Sequence, residues 1–369
     1  VPSSPGIVEQ WPRCTQKIFA ITAANNLKEG RIVAGIKDVA QAAGVSVATV
    51  SRALSGRGSV SASAQEAVQR AAAELGYVVS SSASGLASGR TRNVGVLVPV
   101  INHWFYASVL EGISRRLMDE GYDTTLYQLT KDRGQREKVF SDFLLRQRVD
   151  AVIAVNVELN STEVQALHAL DKPLVGVGGP LPGVPTLHVD DEGISALATE
   201  HLISLGHRRI GFIGGNEETD VDFRVPSHRR TGYEQALHDA GIAVDENLCV
   251  GADFTMPQAY AVAKQLLGNP AGRPTALMAA SDEMAIGAIL AARDLGMQVP
   301  RDLSVIGVDN HDLAEMFGLT TIEQRPHEQG ELAVAMLLRA IRGEEPAHAH
   351  KVDHRLVVRS STSRPLDTA

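Results

Sequence analysis

The chain has 369 residues, of which 44% are hydrophobic, 21% charged and only 4% aromatic, and its formal net charge is −8. At roughly 150 residues per domain this length predicts about two or three domains, and the apolar fraction is too high for wholesale disorder. No stretch approaches the ~18–20 apolar residues of a bilayer span. The apolar run at 18–24 lacks the cationic start of a signal peptide, and Cys14 and Cys249 have no metal-ligand spacing. The expectation is a cytoplasmic protein with no membrane contact, no metal and no cofactor.

Residues 1–34 mix Pro, Ser, Asn and Gly without a sustained period and read as a flexible N-terminal extension. Residues 35–79 carry three short helical patterns. Ile36, Val39, Ala40 and Ala43 share one face and stop at Gly44, and Ser46 is placed to cap a second helix from Val47 to Leu54. A third opens near Ser61 to Ser63, where Ser63 to Glu66 has capping-box spacing, and closes at Leu75 and Gly76. Residues 80–92 open with SSSASGLASGR, the small, polar, Gly-containing text of a linker.

Beyond Asn93 the text changes. Strand-like runs at 94–99, 151–155, 174–177, 210–214, 276–279 and 303–308 alternate with amphipathic segments at 105–120, 133–148, 194–205, 227–240, 260–267, 282–295 and 328–341. This alternation predicts an α/β fold with doubly wound parallel sheets. Residues 93–369 exceed what one such sheet needs, so two similar lobes are expected. Charge divides unevenly: +2 over 1–34, +3 over 35–92 and −13 over 93–369. The acidic bulk repels phosphate everywhere except at the amino end.

That amino end has helix-turn-helix spacing. Gly44 permits a sharp turn, Val45 plugs the gap between the helices and Ser46 starts the second. Val47, Ala48, Ser51 and Arg52 lie on the face left free once Val50 and Ala53 pack inward, so an exposed helix N-terminus is available to phosphate and its side chains to base edges. Arg52 suits a bidentate contact with guanine, worth about 1–3 kcal/mol of discrimination, while Val47 and Ala48 offer only apolar contact. Spacing alone leaves open a small three-helix domain that packs on another protein.

The wording of the sequence goes further. IKDVAQAAGVSVATVSRALSG, AAAELGY and LASGRT are followed in order by EHLISLGHRRIGFIGG, RRTGYEQAL, SDEMAIGA, DLSVIGVDN and LTTIEQ. From Ile36 to about Thr362 the chain closely resembles the lactose-repressor family of bacterial transcription regulators. The resemblance implies a homodimer on a near-palindromic operator in double-stranded DNA, with Val47, Ala48 and Arg52 at base-reading positions and Thr49 and Ser51 completing the DNA-contacting set. It also implies a hinge helix that folds on the operator, with Leu86 as a minor-groove wedge and Ala83 one turn before it. Such a wedge unstacks a base step for a few kcal/mol and bends the duplex. Val79 and Ser80 depart from the family's Pro-Asn, and Gly85 inside a short helix costs about 1 kcal/mol relative to Ala, so weaker hinge ordering is expected.

For the remainder the resemblance implies a periplasmic-binding-protein-like domain for effector binding and dimerisation over 93–369. Its first lobe would take about 93–190 and 323–352, its second about 191–322 and 353–369, with a ligand in the cleft at the carboxyl ends of the strands. The implied small effector is a sugar or sugar derivative, less commonly a nucleobase or nucleoside. Family effector positions are matched by Asn102, Phe105, Asp190, Arg229, Phe254, Asp282 and Asp309. The Phe rings offer stacking faces, and the charged groups suit hydroxyl pairs or a polar heterocycle edge. Alternatives stay open: a helix cap for Asp190 and Asp282, an ion pair for Arg229, interlobe core for Phe105. The pair His103 and Trp104 at the cleft mouth is open between ligand choice and packing. His348, His350 and His354 read as a solvated loop rather than a metal site.

The chain has no G-x-G-x-x-G turn, P-loop, G-x-S-x-G elbow or H-E-x-x-H helix, so no enzymatic activity is expected. The resulting expectation is an all-α helix-turn-helix head, a hinge and a two-lobed sensor, together a sequence-specific repressor. The alternative is a sugar-binding or other solute-binding protein without DNA activity.

Overall fold

The computed structural model describes residues 34–55, 59–77, 90–146, 148–215, 224–344 and 349–366. The chain divides into two compact units, one ending at Arg90 and the other starting at Thr91. The expected hinge residues Ala83 and Leu86, and His348, lie outside the described residues.

The first unit holds three helices, α1 (Ile36–Ala43), α2 (Val47–Ser55) and α3 (Ala62–Leu75). Val39, Val50 and Val68, one from each helix, are fully buried beside Ala40, Ala53, Ala71 and Ala72. Asp38 reaches back to accept the Gly35 N–H at 2.7 Å, which fixes the start of α1. Gly44 ends that helix at φ 67°, a left-handed turn that costs glycine no Cβ clash. The cap of α3 is Ser61, which accepts the Ala64 N–H at 3.3 Å. Ser63, which the sequence pattern favoured, lies inside the first turn with its hydroxyl 3.3 Å from that of Ser61.

The second unit is two α/β lobes. The first contains β1 (Asn93–Val98), α4 (Trp104–Asp119), β2 (Asp123–Gln128), α5 (Arg133–Lys138), β3 (Ala151–Val155), α6 (Ser161–Ala169), β4 (Leu174–Gly178) and β5 (Thr186–His188). The chain then enters the second lobe with α7 (Asp191–Ser204), β6 (Ile210–Gly214), α8 (Val225–Asp239), β7 (Cys249–Gly251), α9 (Met256–Gly268) and β8 (Ala276–Ala279). That lobe continues with α10 (Asp282–Asp294), β9 (Ser304–Asp309) and β10 (Thr320–Glu323). Next, α11 (Pro326–Ile341) and β11 (Ala349–Lys351) return to the first lobe, and β12 (Arg355–Val357) finishes in the second.

The sheets run β11-β5-β4-β3-β1-β2 and β12-β10-β9-β8-β6-β7. Every neighbouring pair is parallel except β10 with β12. Register sets the site: β1 and β3 pair Val94 with Ala151 through Leu97 with Ala154, so the residues after both strands emerge side by side. Likewise β8 and β9 pair Ala276 with Ser304 through Met278 with Ile306. Helices cover the sheets at very close range. A Cβ on Gly112 in α4 would stand 2.1 Å from the His327 carbonyl of α11, and one on Gly232 in α8 would stand 2.1 Å from the Glu192 carbonyl of α7.

The expected helix at 133–148 is broken. After α5, a π turn over Val139–Phe143 puts Val139 and Leu144 five residues apart and both buried, a spacing an uninterrupted α-helix does not place on one face. The strands absent from the sequence pattern, β2, β5, β7, β10, β11 and β12, are short or at sheet edges, where alternation is weak; β2 reads DTTLYQ and is largely exposed.

Candidate functional site

Within the first unit, α2 turns Val50 and Ala53 into the core and leaves Val47, Ala48, Ser51 and Arg52 exposed. Ser46 caps the helix: its Oγ accepts the Thr49 N–H at 3.1 Å and lies 2.9 Å from Thr49 Oγ1. Thr49 is therefore half-buried and tied into the cap.

Within the second unit, the strand ends of both lobes line a narrow cavity of about 30 Å³ that opens to solvent, at the carboxyl ends of parallel strands where ligands bind in such sheets. The first lobe lines it with His103, Phe105 and Tyr106 from the start of α4 and with Asn156 just after β3. The second contributes Val225 and Arg229 from α8, Phe254 after β7, Ser281 and Glu283 at the start of α10, and Asp309 at the end of β9. Three of these hold positive φ: Asn156 at 44°, Phe254 at 53° and Asp309 at 130°. Backbone held in that region costs free energy and persists only where surroundings impose it, a pattern that gathers at functional sites.

Arg229 is buried and spoken for. Its Nε and Nη2 bind Asp191 Oδ1 at 2.9 and 2.8 Å, and Nη1 donates to the Ala280 carbonyl. Asp309 accepts from Gln324 Nε2. Burial holds the Asp309 carboxyl above the usual carboxylate range; the Arg229 charge opposes that and the neighbouring Asp282 adds to it. Burial also raises Glu283, against the Trp104 N–H that it accepts, and lowers His103, favouring a neutral ring. Asn156 Oδ1 is buried and has no hydrogen-bond partner among the described residues. The cavity thus presents three aromatic rings, Phe105, Tyr106 and Phe254, several acceptors and one cation already neutralised from within its own lobe.

The model for Bacterial regulatory proteins, lacI family, matches residues 35–80, and that for Periplasmic binding protein-like domain matches residues 199–362. The HTH-type transcriptional repressor CytR of Escherichia coli is 34% identical over 341 residues, covering 91% of this chain and 98% of that protein. The chain belongs to the lacI family of bacterial regulatory proteins. The structure of the Lac repressor dimer bound to operator and the anti-inducer ONPF aligns at a TM-score of 0.78 and 26% identity, covering 89% of this chain and 99% of that chain. The CelR–cellobiose complex aligns at 0.64 and 32% identity with the same coverage.

This lacI-family chain is a DNA-binding transcriptional regulator with an effector-binding domain. Its relatives are transcriptional regulators rather than enzymes, and the reading as a solute-binding protein without DNA activity finds no support among them. Among the described residues, no helix is long and apolar enough to cross a membrane.

Of the seven effector residues expected in this lacI-family domain, the structure brings Phe105, Arg229, Phe254 and Asp309 to the cavity. The other three stand elsewhere. Asn102 is exposed in the loop after β1. Asp190 caps α7, accepting the Gly193 N–H at 2.9 Å and Lys351 Nζ at 2.9 Å. Asp282 is fully buried and consumed by Thr321 Oγ1 at 2.7 Å and the His311 N–H at 2.8 Å; Ser281, not Asp282, caps α10. Tyr106, Asn156, Ser281, Glu283 and Val225 line the cavity without having been expected there. One signal was available for Asn156: it directly follows a buried apolar strand, as Asp309 ends one.

Proposed function

We propose that the chain is a homodimeric, cytoplasmic repressor that binds a near-palindromic operator and whose grip is set by a sugar or sugar derivative in the interlobe cleft. The carrying observation is that Phe105 and Phe254 line one cavity together with the acceptor-bearing side chains Asn156, Glu283 and Asp309. A sugar has apolar C–H faces and a donor-rich edge, and so matches both. The solved CelR–cellobiose relative supports the same class.

Residues 35–79 read DNA, 80–92 form the hinge and 93–369 bind effector and pair the subunits. Arg52 takes a guanine edge, Val47 and Ala48 make apolar base contacts, Thr49 and Ser51 bind beside them, and Ala83 and Leu86 engage the minor groove, with Leu86 as the wedge. Control is linkage: the effector changes operator affinity only by its differential affinity for two arrangements of the lobes. A hundredfold change requires about 2.7 kcal/mol of such difference.

Electrophoretic retardation of genomic fragments, titrated with neutral mono- and disaccharides, tests the reading. The expected result is a retarded fragment with paired half-sites whose apparent affinity one sugar shifts at least about tenfold. Response to nucleosides alone would transfer the cleft to heterocycles. Arg52→Ala should relax base choice at one position per half-site by about 1–3 kcal/mol; an unaltered preference refutes its role.

A further inference from the structure

Trp104 is the first residue of α4 and belongs to the first lobe, yet it does not line the cavity. Its carbonyl accepts Ser108 Oγ within α4 at 2.8 Å, but its donors and its ring go to the other lobe. The first N–H groups of a helix have no acceptor within it, and that of Trp104 meets Glu283 Oε2 at 3.3 Å. The indole Nε1–H donates to Asp312 Oδ2 at 3.1 Å, and the ring lies 4.8 Å from that of His311, tilted by 31°. The partners are themselves held. His311 Nδ1 accepts the Leu313 N–H at 2.9 Å, and the His311 N–H is bound by Asp282 Oδ2 at 2.8 Å. Buried Asp282, no part of the cavity lining, thus anchors the turn on which Trp104 rests.

We propose that Trp104 is an interlobe clasp, tying α4 to the second lobe at the mouth of the cleft and setting how readily the lobes part around an effector. Glu283 belongs to both the clasp and the cavity wall, so a donor on a bound molecule and the Trp104 N–H share one carboxylate. Occupancy and lobe separation are coupled at that group. The consequence for effectors rests on the cleft being the effector site; the clasp itself does not.

Hydrogen–deuterium exchange on the full chain, read by mass spectrometry with no added sugar, tests this with two variants. Trp104→Phe keeps a ring and the main-chain N–H but removes the indole donor. Trp104→Pro removes both donors while remaining compatible with a first helical position. Exchange in second-lobe segments 281–285 and 309–314 should rise severalfold in Trp104→Phe and further in Trp104→Pro, with the strand amides unchanged. The reciprocal variant Asp312→Ala should raise exchange at 103–108 in the first lobe. A rise confined to the lobe that carries the substitution, or no rise, overturns the clasp. Should Trp104→Pro fail to fold, Trp104→Phe and Asp312→Ala decide alone. Absence of any sugar response, with the cross-lobe exchange pattern as expected, counts against the effector reading and leaves the clasp standing.

Discussion

The first lobe lines the cleft with His103, Phe105, Tyr106 and Asn156 and sends it no carboxylate or guanidinium, whereas the second adds Arg229, Glu283 and Asp309 to Val225, Phe254 and Ser281. Both do so from the same strand order. Topology therefore chooses where a site forms, at the carboxyl ends of parallel strands, and leaves each lobe free to choose its chemistry. The second lobe's choice brings an internal network: Arg229 to Asp191 and Ala280, Asp309 to Gln324, Asp282 to Thr321 and His311. The first lobe's Asn156 acceptor has no hydrogen-bond partner among the described residues. Gln324 Oε1 in the second lobe is unpaired among them as well, but of these two groups only Asn156 lines the cavity, where a ligand donor can reach it.

Arg229→Ala is the most direct way to break this division. It would strand Asp191, 12% exposed, and remove the charge that most favours ionisation of Asp309. Breaking one side of a buried pair costs about 3–5 kcal/mol, and a denaturant midpoint should fall accordingly. Phe105→Ala, from the half-buried first-lobe wall, should cost clearly less stability while still weakening sugar binding. Equal losses would erase the distinction between the lobes.

The same contrast governs how far the sequence could be read. The lobes and the head follow from periodicity: buried runs such as 151–155 and 276–279 emerged as strands, and Gly44 ended its helix as expected. The site was legible in part for the Phe rings: Phe105 and Phe254 line the cavity, and Phe105 also packs against the core, so both of its open readings describe it. The site was not legible for carboxylates, because Asp190 and Asp282 differ from Asp309 only in what lies within a few ångströms of them. A cap, a buried threonine hydroxyl and an open cavity all attract an Asp at or just beyond the end of a strand.

A second pair of variants asks whether the lobes are equals in packing, if not in chemistry. Gly112 and Gly232 each meet a backbone carbonyl 2.1 Å from where a Cβ would sit, in α4 against α11 and in α8 against α7. Neither carbonyl swings aside like a flexible side chain, so Gly112→Val and Gly232→Val should each cost about 1–3 kcal/mol through overpacking. Matched losses in thermal unfolding would show that both lobes depend on the same close helix contact. A tolerated Gly112→Val would place the rigid half of the sensor in the second lobe alone.

The smallest effect belongs to a crossing between the lobes, where Asp190 caps α7 and binds Lys351 of β11. The Lys351 bond, then the Gly193 N–H, hold its carboxyl below the usual range. With the folded value depressed, the contribution is complete above the unfolded pKa of about 3.9 and is lost as pH falls through the folded value. The pair is substantially exposed, 60% for Lys351 and 30% for Asp190, so only a small contribution is at stake and salt should erode it. Asp190→Asn keeps a capping oxygen but not the charge. Its deficit relative to the parent should be present at pH 7, shrink as pH drops below about 4 and diminish in high salt. A deficit that ignores both pH and salt would assign the residue's worth to cap geometry, leaving the crossing held by its backbone and not by an ion pair.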